Sequence, residues 1–428
     1  MQKVAFYTLG CKVNQYETEA LKELFAKNEY EISGFDEVCD VYVVNSCTVT
    51  ATGDKKSRQA VSRARRLNKD AIIALIGCYA QHLTEKEIDL SEADIILGTA
   101  NKLELLNHIE NNLKIRKAHD IKEFDSFCET PVTGALSDRA RAYLKIQDGC
   151  NRFCSYCIIP YVKGKVKSRE LSAIRKEAEK LAENGKREVI LTGIQVGAYG
   201  DDLGKTVSLI DAIETVASVK GIERIRLSSV EPVAITRDFL ERCKKLPEFC
   251  CHFHLSLQSG SDKILKAMNR RYTKKEYLER VNLIREYFPD SAITTDIIAG
   301  FPGETNEDFS ETLEFARECR FAQIHAFPYS PREGTKASKM SGLPLRKIRN
   351  ERAKQLILLS EQLRNQFLET QMAKTRPVYI EKQDSNMSYG YTDNYIYVGV
   401  EKSDKKTGEI CDVCLTHDII KNNLDDSQ

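Results

Sequence analysis

The chain has almost no net charge. Its 64 Lys and Arg face 63 Asp and Glu over 428 residues, a formal +1 at pH 7. A molecule so balanced has no overall positive field, so any nucleic-acid site must be a local patch. Long apolar runs are missing as well. None approaches the ~20 residues of a membrane span, and no membrane partner is expected. A secretory leader is not expected either, because Met1-Gln2-Lys3-Val4-Ala5-Phe6-Tyr7 runs straight into a strand-like pattern. Without an oxidising compartment, the 14 cysteines point to metal or redox chemistry in a reducing cytoplasm rather than to a disulfide framework. Hydrophobic content of 42% and charged content of 30% describe a soluble protein with material for two or three cores.

Three cysteines stand closer together than the rest. Cys150, Cys154 and Cys157 form a C-x3-C-x2-C run inside Gly149-Cys150-Asn151-Arg152-Phe153-Cys154-Ser155-Tyr156-Cys157. Three thiolates on one short loop can hold three irons of a cubane cluster and leave the fourth iron open to a small molecule. Ferredoxin runs of four cysteines have no such open position. Zinc wants a fourth Cys or His close by, and none follows at zinc spacing.

From Lys3 to about Ile121, short apolar runs alternate with helical stretches. Val4–Leu9, Asp40–Asn45, Ala71–Ile76 and Asp94–Leu97 read as buried parallel strands, and Asn14–Lys27, Asp54–Leu67 and Lys102–Lys114 as helices. The alternation predicts an open α/β sheet. Cys11, Cys47 and Cys78 each fall one or two residues beyond a strand, at the carboxyl edge where such sheets bind ligands. Three cysteines 36 and 31 positions apart thus converge on one edge, where a second cluster site is reasonable. Taken singly, each would pass for a half-buried free thiol.

The segment Ile115–Leu136 reads as a linker in which Cys128 is incidental. From Arg139 to Arg332 six strands alternate with helices: Ala142–Gln147, Glu188–Thr192, Arg224–Ser228, His252–Leu257, Ala292–Ile298 and Ala322–Phe327. This predicts a partial (β/α)6 barrel, open on one side, with its site on the loops at the C-terminal mouth. The Cys150 loop follows the first strand. Gly193 and Gln195 follow the second, Ser229 and Glu231 the third. Ser256 and Gln258 end the fourth and alternate with apolar neighbours, so they point to one face. Arg270 comes after them and can hold a carboxylate bidentately.

Leu343–Lys374 is a charge-rich helix. Val378–Ile380, Tyr395–Val400 and Ile410–Leu415 form a small β module whose Cys411 and Cys414 read as free thiols. Cys250 and Cys251 read as structural. Two basic runs could meet phosphate: Lys55, Lys56, Arg58, Arg63, Arg65, Arg66 and Lys69 just after Cys47, and Lys163, Lys165, Lys167 and Arg169 just past the Cys150 loop.

The Cys150–Cys157 run, with Tyr156 before its last cysteine, resembles the radical S-adenosylmethionine (radical SAM) signature. Leu9-Gly10-Cys11-Lys12-Val13-Asn14-Gln15-Tyr16-Glu17-Thr18, Asn45-Ser46-Cys47-Thr48-Val49-Thr50 and Gly77-Cys78-Tyr79-Ala80-Gln81 are similar to the N-terminal blocks of the methylthiotransferases. The resemblance spans the chain and implies its division: 1–120 with an auxiliary cluster, a linker 121–138, a radical SAM barrel 139–372, and 373–428 as a TRAM-like RNA-binding β-barrel. That last segment, from Lys374, holds seven Lys and Arg against ten Asp and Glu.

The resemblance also implies two [4Fe-4S] clusters, held by Cys150, Cys154 and Cys157 and by Cys11, Cys47 and Cys78, and two S-adenosylmethionine molecules per turnover. Gly193, Gln195, Ser229, Glu231, Ser256, Gln258 and Arg270 would contact the cofactor, and adenine would lie against Asp296–Ile298. The implied reaction makes a 5′-deoxyadenosyl radical, takes hydrogen from C2 of an adenosine and leaves a methylthio group there. The implied partners are the tRNA anticodon stem-loop, a reducing electron donor and a sulfur source. Leu9–Thr18 and Arg226-Leu227-Ser228-Ser229-Val230-Glu231-Pro232 look most like the branch acting on N6-threonylcarbamoyladenosine at position 37. The isopentenyladenosine branch, the ribosomal-protein aspartate branch and a non-catalytic iron–sulfur or RNA-binding protein are the alternatives.

Overall fold

The computed structural model describes residues 1–88, 90–121, 126–204, 206–402 and 404–421. Residues 122–125 of the expected linker and 422–428 of the expected C-terminal module lie outside this set.

The N-terminal part is a six-stranded sheet, all parallel, in the order Glu31–Ser33, Lys3–Thr8, Val41–Ser46, Ile72–Gly77, Ile95–Leu97, Ile115–Lys117. The two central strands are buried almost throughout and mostly apolar because helices cover both faces. The four expected strands are present. The two missed strands are three-residue edges, too short for any periodicity to register. The expected helix Lys102–Lys114 is shorter: a 3-10 turn at Lys102–Glu104 leads into Leu105–Glu110, and Asn112 ends it at a φ of 53°.

The central part is the expected partial barrel. Ala142–Lys145, Glu188–Thr192 and Arg224–Leu227 pair in parallel, as do His252–His254, Ala292–Ala299 and Gln323–Pro328. Single bridges, Ile225 with Phe249 and Val230 with Leu255, join the two triplets. The outer side chains of these strands pack on the surrounding helices in one large core, with the helix Arg346–Gln371 against the last strand.

The stretch expected to be a linker straps the two parts together. Thr133 and Gly134 donate backbone N–H groups to the Glu23 carboxylate at 2.9–3.0 Å, Tyr16 donates to the Thr130 carbonyl at 2.8 Å, and Val132 is buried beside Tyr16. The second basic run is spent inside the molecule as well. Lys163, Lys167 and Arg169 are buried, and Arg169 holds Glu129 and Glu177 at 2.6 and 2.7 Å. Basic spacing alone does not reveal that acids elsewhere in the chain have already engaged these cations, so this run is not the expected phosphate patch.

The C-terminal module is a four-stranded antiparallel sheet, Tyr397–Glu401, Met387–Thr392, Thr375–Gln383, Ile410–Cys414. It seals the barrel at the strand starts. Arg224 and Arg226, from one barrel strand, donate to the Tyr391, Thr392 and Asp393 carbonyls at 2.8–3.1 Å. Both also grip the fully buried Glu188 at 2.9 and 3.1 Å. Burial works to raise the Glu188 carboxyl, but Arg224, Arg226 and Arg141 overrule it and hold it at about 2. A carboxyl held below its unfolded range stabilises the fold above pH ~4.5, and that stabilisation fades as pH falls toward the folded value. The wild-type melting temperature is therefore expected to drop more steeply than that of Glu188→Gln between about pH 5 and pH 3 in a thermal scan.

Candidate active site

Each N-terminal cysteine caps a strand end. Cys78 directly follows Ile72–Gly77 and begins the helix Cys78–Glu85. Cys47 directly follows Val41–Ser46. Cys11, three residues beyond Lys3–Thr8, is the N-cap of Lys12–Lys27. Gly10 brings the first loop against the second: a methyl group on it would lie 2.8 Å from Cys47 Cβ and 2.9 Å from its Sγ. Burial pushes the Cys47 thiol up to about 11 and the Cys78 thiol to about 12, and nearby Cys11 adds to both. Lys163 and Lys102 pull Cys78 the other way.

Cys150, Cys154 and Cys157 lie on a loop fixed at several points. Cys150 N donates to Gly164 O at 2.9 Å, Cys157 N to Cys154 O at 2.9 Å, and Ser155 N to Met268 O at 3.0 Å. Asn269 Nδ2 donates to Phe153 O at 3.0 Å. Burial raises the Cys150 thiol to about 11 and the Cys157 thiol to about 12, and the neighbouring thiols raise them further. Gly149 must stay glycine. Its φ is +71°, and a Cβ would fall 1.7 Å from the Lys165 carbonyl oxygen. Gly149→Ala is expected to displace Cys150, and the S-adenosylmethionine cleavage that the resemblance implies should fall about 100-fold, as read by 5′-deoxyadenosine formation and iron content.

The residues expected around this loop form one network. Gln195 reaches the Cys150 sulfur at 3.1 Å and donates to Glu231 at 3.0 Å. Glu231 takes Arg152 at 2.6 Å and Arg270 at 3.1 Å. Arg270 lies 3.4 Å from the Cys154 sulfur and 3.2 Å from the Ser256 carbonyl, with its guanidinium 5.0 Å from the centre of the Tyr272 ring. Ser256 thus contributes its backbone to the network. Gly193 lies against Gln147, whose side-chain oxygen accepts from Gln195 N at 2.7 Å. Gln258 takes a left-handed φ of 73° and keeps the strand ladder through its own backbone. Ser229 is exposed nearby and takes part in none of these hydrogen bonds. Arg152 and Tyr272 were missed; each lies within two residues of a residue already singled out.

The two cysteine sets border one space. Cys78 packs with Ile158 and Val162, just past Cys157. Glu17, six residues after Cys11, is buried against Lys102 of its own part and against Lys145 and Lys163 at the barrel mouth, at 2.9 and 3.0 Å. Asp148 joins Lys145 at 2.6 Å. On the far side, buried Arg332 of the barrel binds Asp54 and Thr48, beside Cys47. Among the described residues no three His, Cys, Asp or Glu side chains converge on a single metal ion. Each triad instead offers three free thiols, two of them (Cys47 and Cys78, Cys150 and Cys157) raised by burial, so that their charged form needs a cationic partner. That donor set suits an iron–sulfur cluster, with one cysteine per iron.

A profile of the Radical SAM superfamily matches residues 144–316, and one of the uncharacterized protein family UPF0004 matches residues 3–98. Over 424 residues the chain is 41% identical to the threonylcarbamoyladenosine tRNA methylthiotransferase MtaB of Bacillus subtilis (strain 168), spanning 96% of this chain and 93% of that protein. The chain belongs to the radical SAM methylthiotransferase family. It is 35% identical over 429 residues to the tRNA-2-methylthio-N(6)-dimethylallyladenosine synthase of Clostridium tetani, spanning 97% and 94%. Among solved structures, the radical S-adenosylmethionine methyltransferase TsrM of Kitasatospora setae shares the fold, with a TM-score of 0.56 at 14% identity over 79% of this chain and 75% of that one. This methylthiotransferase is thus an enzyme whose family implies a [4Fe-4S] cluster and S-adenosylmethionine. Among the described residues no helix is long and apolar enough to cross a membrane.

Proposed function

We propose that this enzyme places a methylthio group on C2 of N6-threonylcarbamoyladenosine at position 37 of cytoplasmic tRNA. The observation that carries the reading is the second cysteine set, Cys11, Cys47 and Cys78, gathered on a sheet edge that shares one space with the radical SAM loop. The branch rests on 41% identity to an enzyme named for threonylcarbamoyladenosine, against 35% for one named for dimethylallyladenosine.

Cys150, Cys154 and Cys157 would hold the cluster that supplies an electron for cleaving S-adenosylmethionine, and Cys11, Cys47 and Cys78 would hold the one that supplies the sulfur for the methylthio group. The chain's own residues then do the positioning. Gln195, Glu231 and Arg270, beside Cys150 and Cys154, hold the amino and carboxylate groups of the cofactor through charge-assisted hydrogen bonds. Lys55, Lys56, Arg66 and Lys69 are exposed on the helix Ala51–Leu67 and just beyond it, close after Cys47, and meet the RNA backbone. In the same run Arg58, Arg63 and Arg65 are engaged by Tyr79, Asp36 and Asp94. Residues 1–120 act as the sulfur-carrying part, 139–372 as the radical-generating part and 373–428 as an accessory module, with an external electron donor and sulfur source.

Deleting the gene and analysing digested tRNA by mass spectrometry tests this. The methylthio-threonylcarbamoyl nucleoside is expected to vanish while its unthiolated precursor accumulates. An unchanged nucleoside profile overturns the tRNA reading.

A further inference from the structure

The inner face of the last three barrel strands carries a polar group that belongs to neither cysteine set. Phe253, Leu255, Ile293, Ile297 and Ile324 are buried in the core shared with the outer helices. Strand side chains alternate, so His252, His254, Thr294, Asp296, His325 and Phe327 face the lumen. Register sets His254 beside Thr294 and Asp296 beside His325. Thr294 Oγ1 lies 3.0 Å from both His252 Nε2 and His254 Nδ1, and His254 Nε2 lies 3.0 Å from Asp296 Oδ2. The His254 and His325 rings are 5.6 Å apart.

Barrel interiors are ordinarily filled by branched apolar side chains. Three of the chain's seven histidines lie here instead, His254 and His325 beside the Asp296 carboxylate and His252 on Thr294. The Asp296 side chain is still 28% exposed, so the group is reachable from the mouth. Burial disfavours its charge, but the hydrogen bond and charge of His254 hold the carboxyl below its usual range, and Lys12, next to Cys11, acts in the same direction. At the mouth end of the last strand, Phe327 is 53% exposed, an unusual position for a phenylalanine. The network of Gln195, Glu231 and Arg270 lies elsewhere on the mouth and shares no hydrogen bond with this group.

We propose that this inner face seats the target nucleoside, with Phe327 stacked on the purine and the His254–Asp296–His325 group hydrogen-bonding a polar substituent on N6. The inference rests on the functional reading above and deepens it. A threonylcarbamoyl substituent brings N–H and O–H donors for Asp296, and carbonyl and carboxylate acceptors for imidazole N–H groups, with the Lys12 ammonium nearby. A hydrocarbon substituent would cover the part-exposed Asp296 carboxylate without offering it a donor, and sites built to hydrogen-bond a polar group discriminate strongly against analogues that lack it. Stacking on Phe327 accepts any purine, because every base has a π-face.

The test uses the iron-reconstituted full chain and two anticodon stem-loops, one with N6-threonylcarbamoyladenosine at position 37 and one with adenosine. The wild type is expected to prefer the modified loop by about tenfold or more in Kd. Asp296→Asn should erase that preference and leave the adenosine loop unaffected, whereas Phe327→Ala should weaken both loops. Melting temperature should stay at the wild-type level in both variants, and RNA-free cleavage of S-adenosylmethionine under dithionite should stay there in Phe327→Ala. A preference that survives Asp296→Asn overturns the inference while the function stands. A wild type that neither prefers nor thiolates the modified loop overturns the function itself.

Discussion

Replacing Cys11, Cys47 and Cys78 together by alanine is expected to halve the bound iron, from about eight to about four per chain. Methylthiolation should fall below detection, while 5′-deoxyadenosine is still released. The Cys150/Cys154/Cys157 triple variant should also lose half of the iron, but it should release no 5′-deoxyadenosine at all. The asymmetry follows from the architecture. The Cys150 loop is fixed by its own barrel through Gly164, Met268 and Asn269 and does not lean on the N-terminal cysteines. Colorimetric iron determination and chromatography of the cleavage products separate the two roles. Full iron loading in the first variant would refute the second cluster site.

The largest stability effect is expected at Glu17. Its side chain is 6% exposed and faces Lys102, Lys145 and Lys163. Burial works to raise its carboxyl, yet the three ammonium groups hold it well below the usual range. In Glu17→Ala, Lys145 and Lys163 would share Asp148 and the buried Lys102 would lose its ion pair, and an uncompensated buried charge costs about 3–5 kcal/mol. At roughly 2–4 °C per kcal/mol for domains of this size, the melting temperature should fall by about 10 °C. Lys102→Met makes the contrasting case. Burial outweighs Glu17 and lowers the Lys102 ammonium, whereas Lys145 and Lys163 are both raised. Removing Lys102 leaves two cations facing two carboxylates, so that variant should melt near the wild type. Equal melting of Glu17→Ala and wild type in a thermal scan would dismiss the buried network as a joint between sheet and barrel.

The fold was legible wherever periodicity is long. All six barrel strands and the four inner strands of the N-terminal sheet follow from short, largely buried runs that alternate with helical stretches. The strand Met387–Thr392 escaped because Met-Ser-Tyr-Gly-Tyr-Thr is only half apolar and follows a polar turn. Among the candidate site residues, motif spacing ties the cysteines, Gln195 and Glu231 to strand ends, and the structure brings Gln195, Glu231 and Arg270 together beside Cys150 and Cys154. What spacing could not convey is which charges meet across the fold. Glu17 and Lys163 are 146 positions apart, and Arg332 and Asp54 are 278 apart. Lys163 and Arg169 read as surface cations for the same reason. His254, Asp296 and His325 lie on three separate strands, and only the parallel register reveals them as neighbours.

The seal at the strand starts bears on kinetics. With Arg224 and Arg226 fastened to the carbonyls of the C-terminal sheet, the strand starts are covered and the mouth is the open end of the barrel. Under the proposed function, methionine and 5′-deoxyadenosine formed beneath a docked RNA loop would share that end with the loop, and turnover would slow with loops that dissociate slowly.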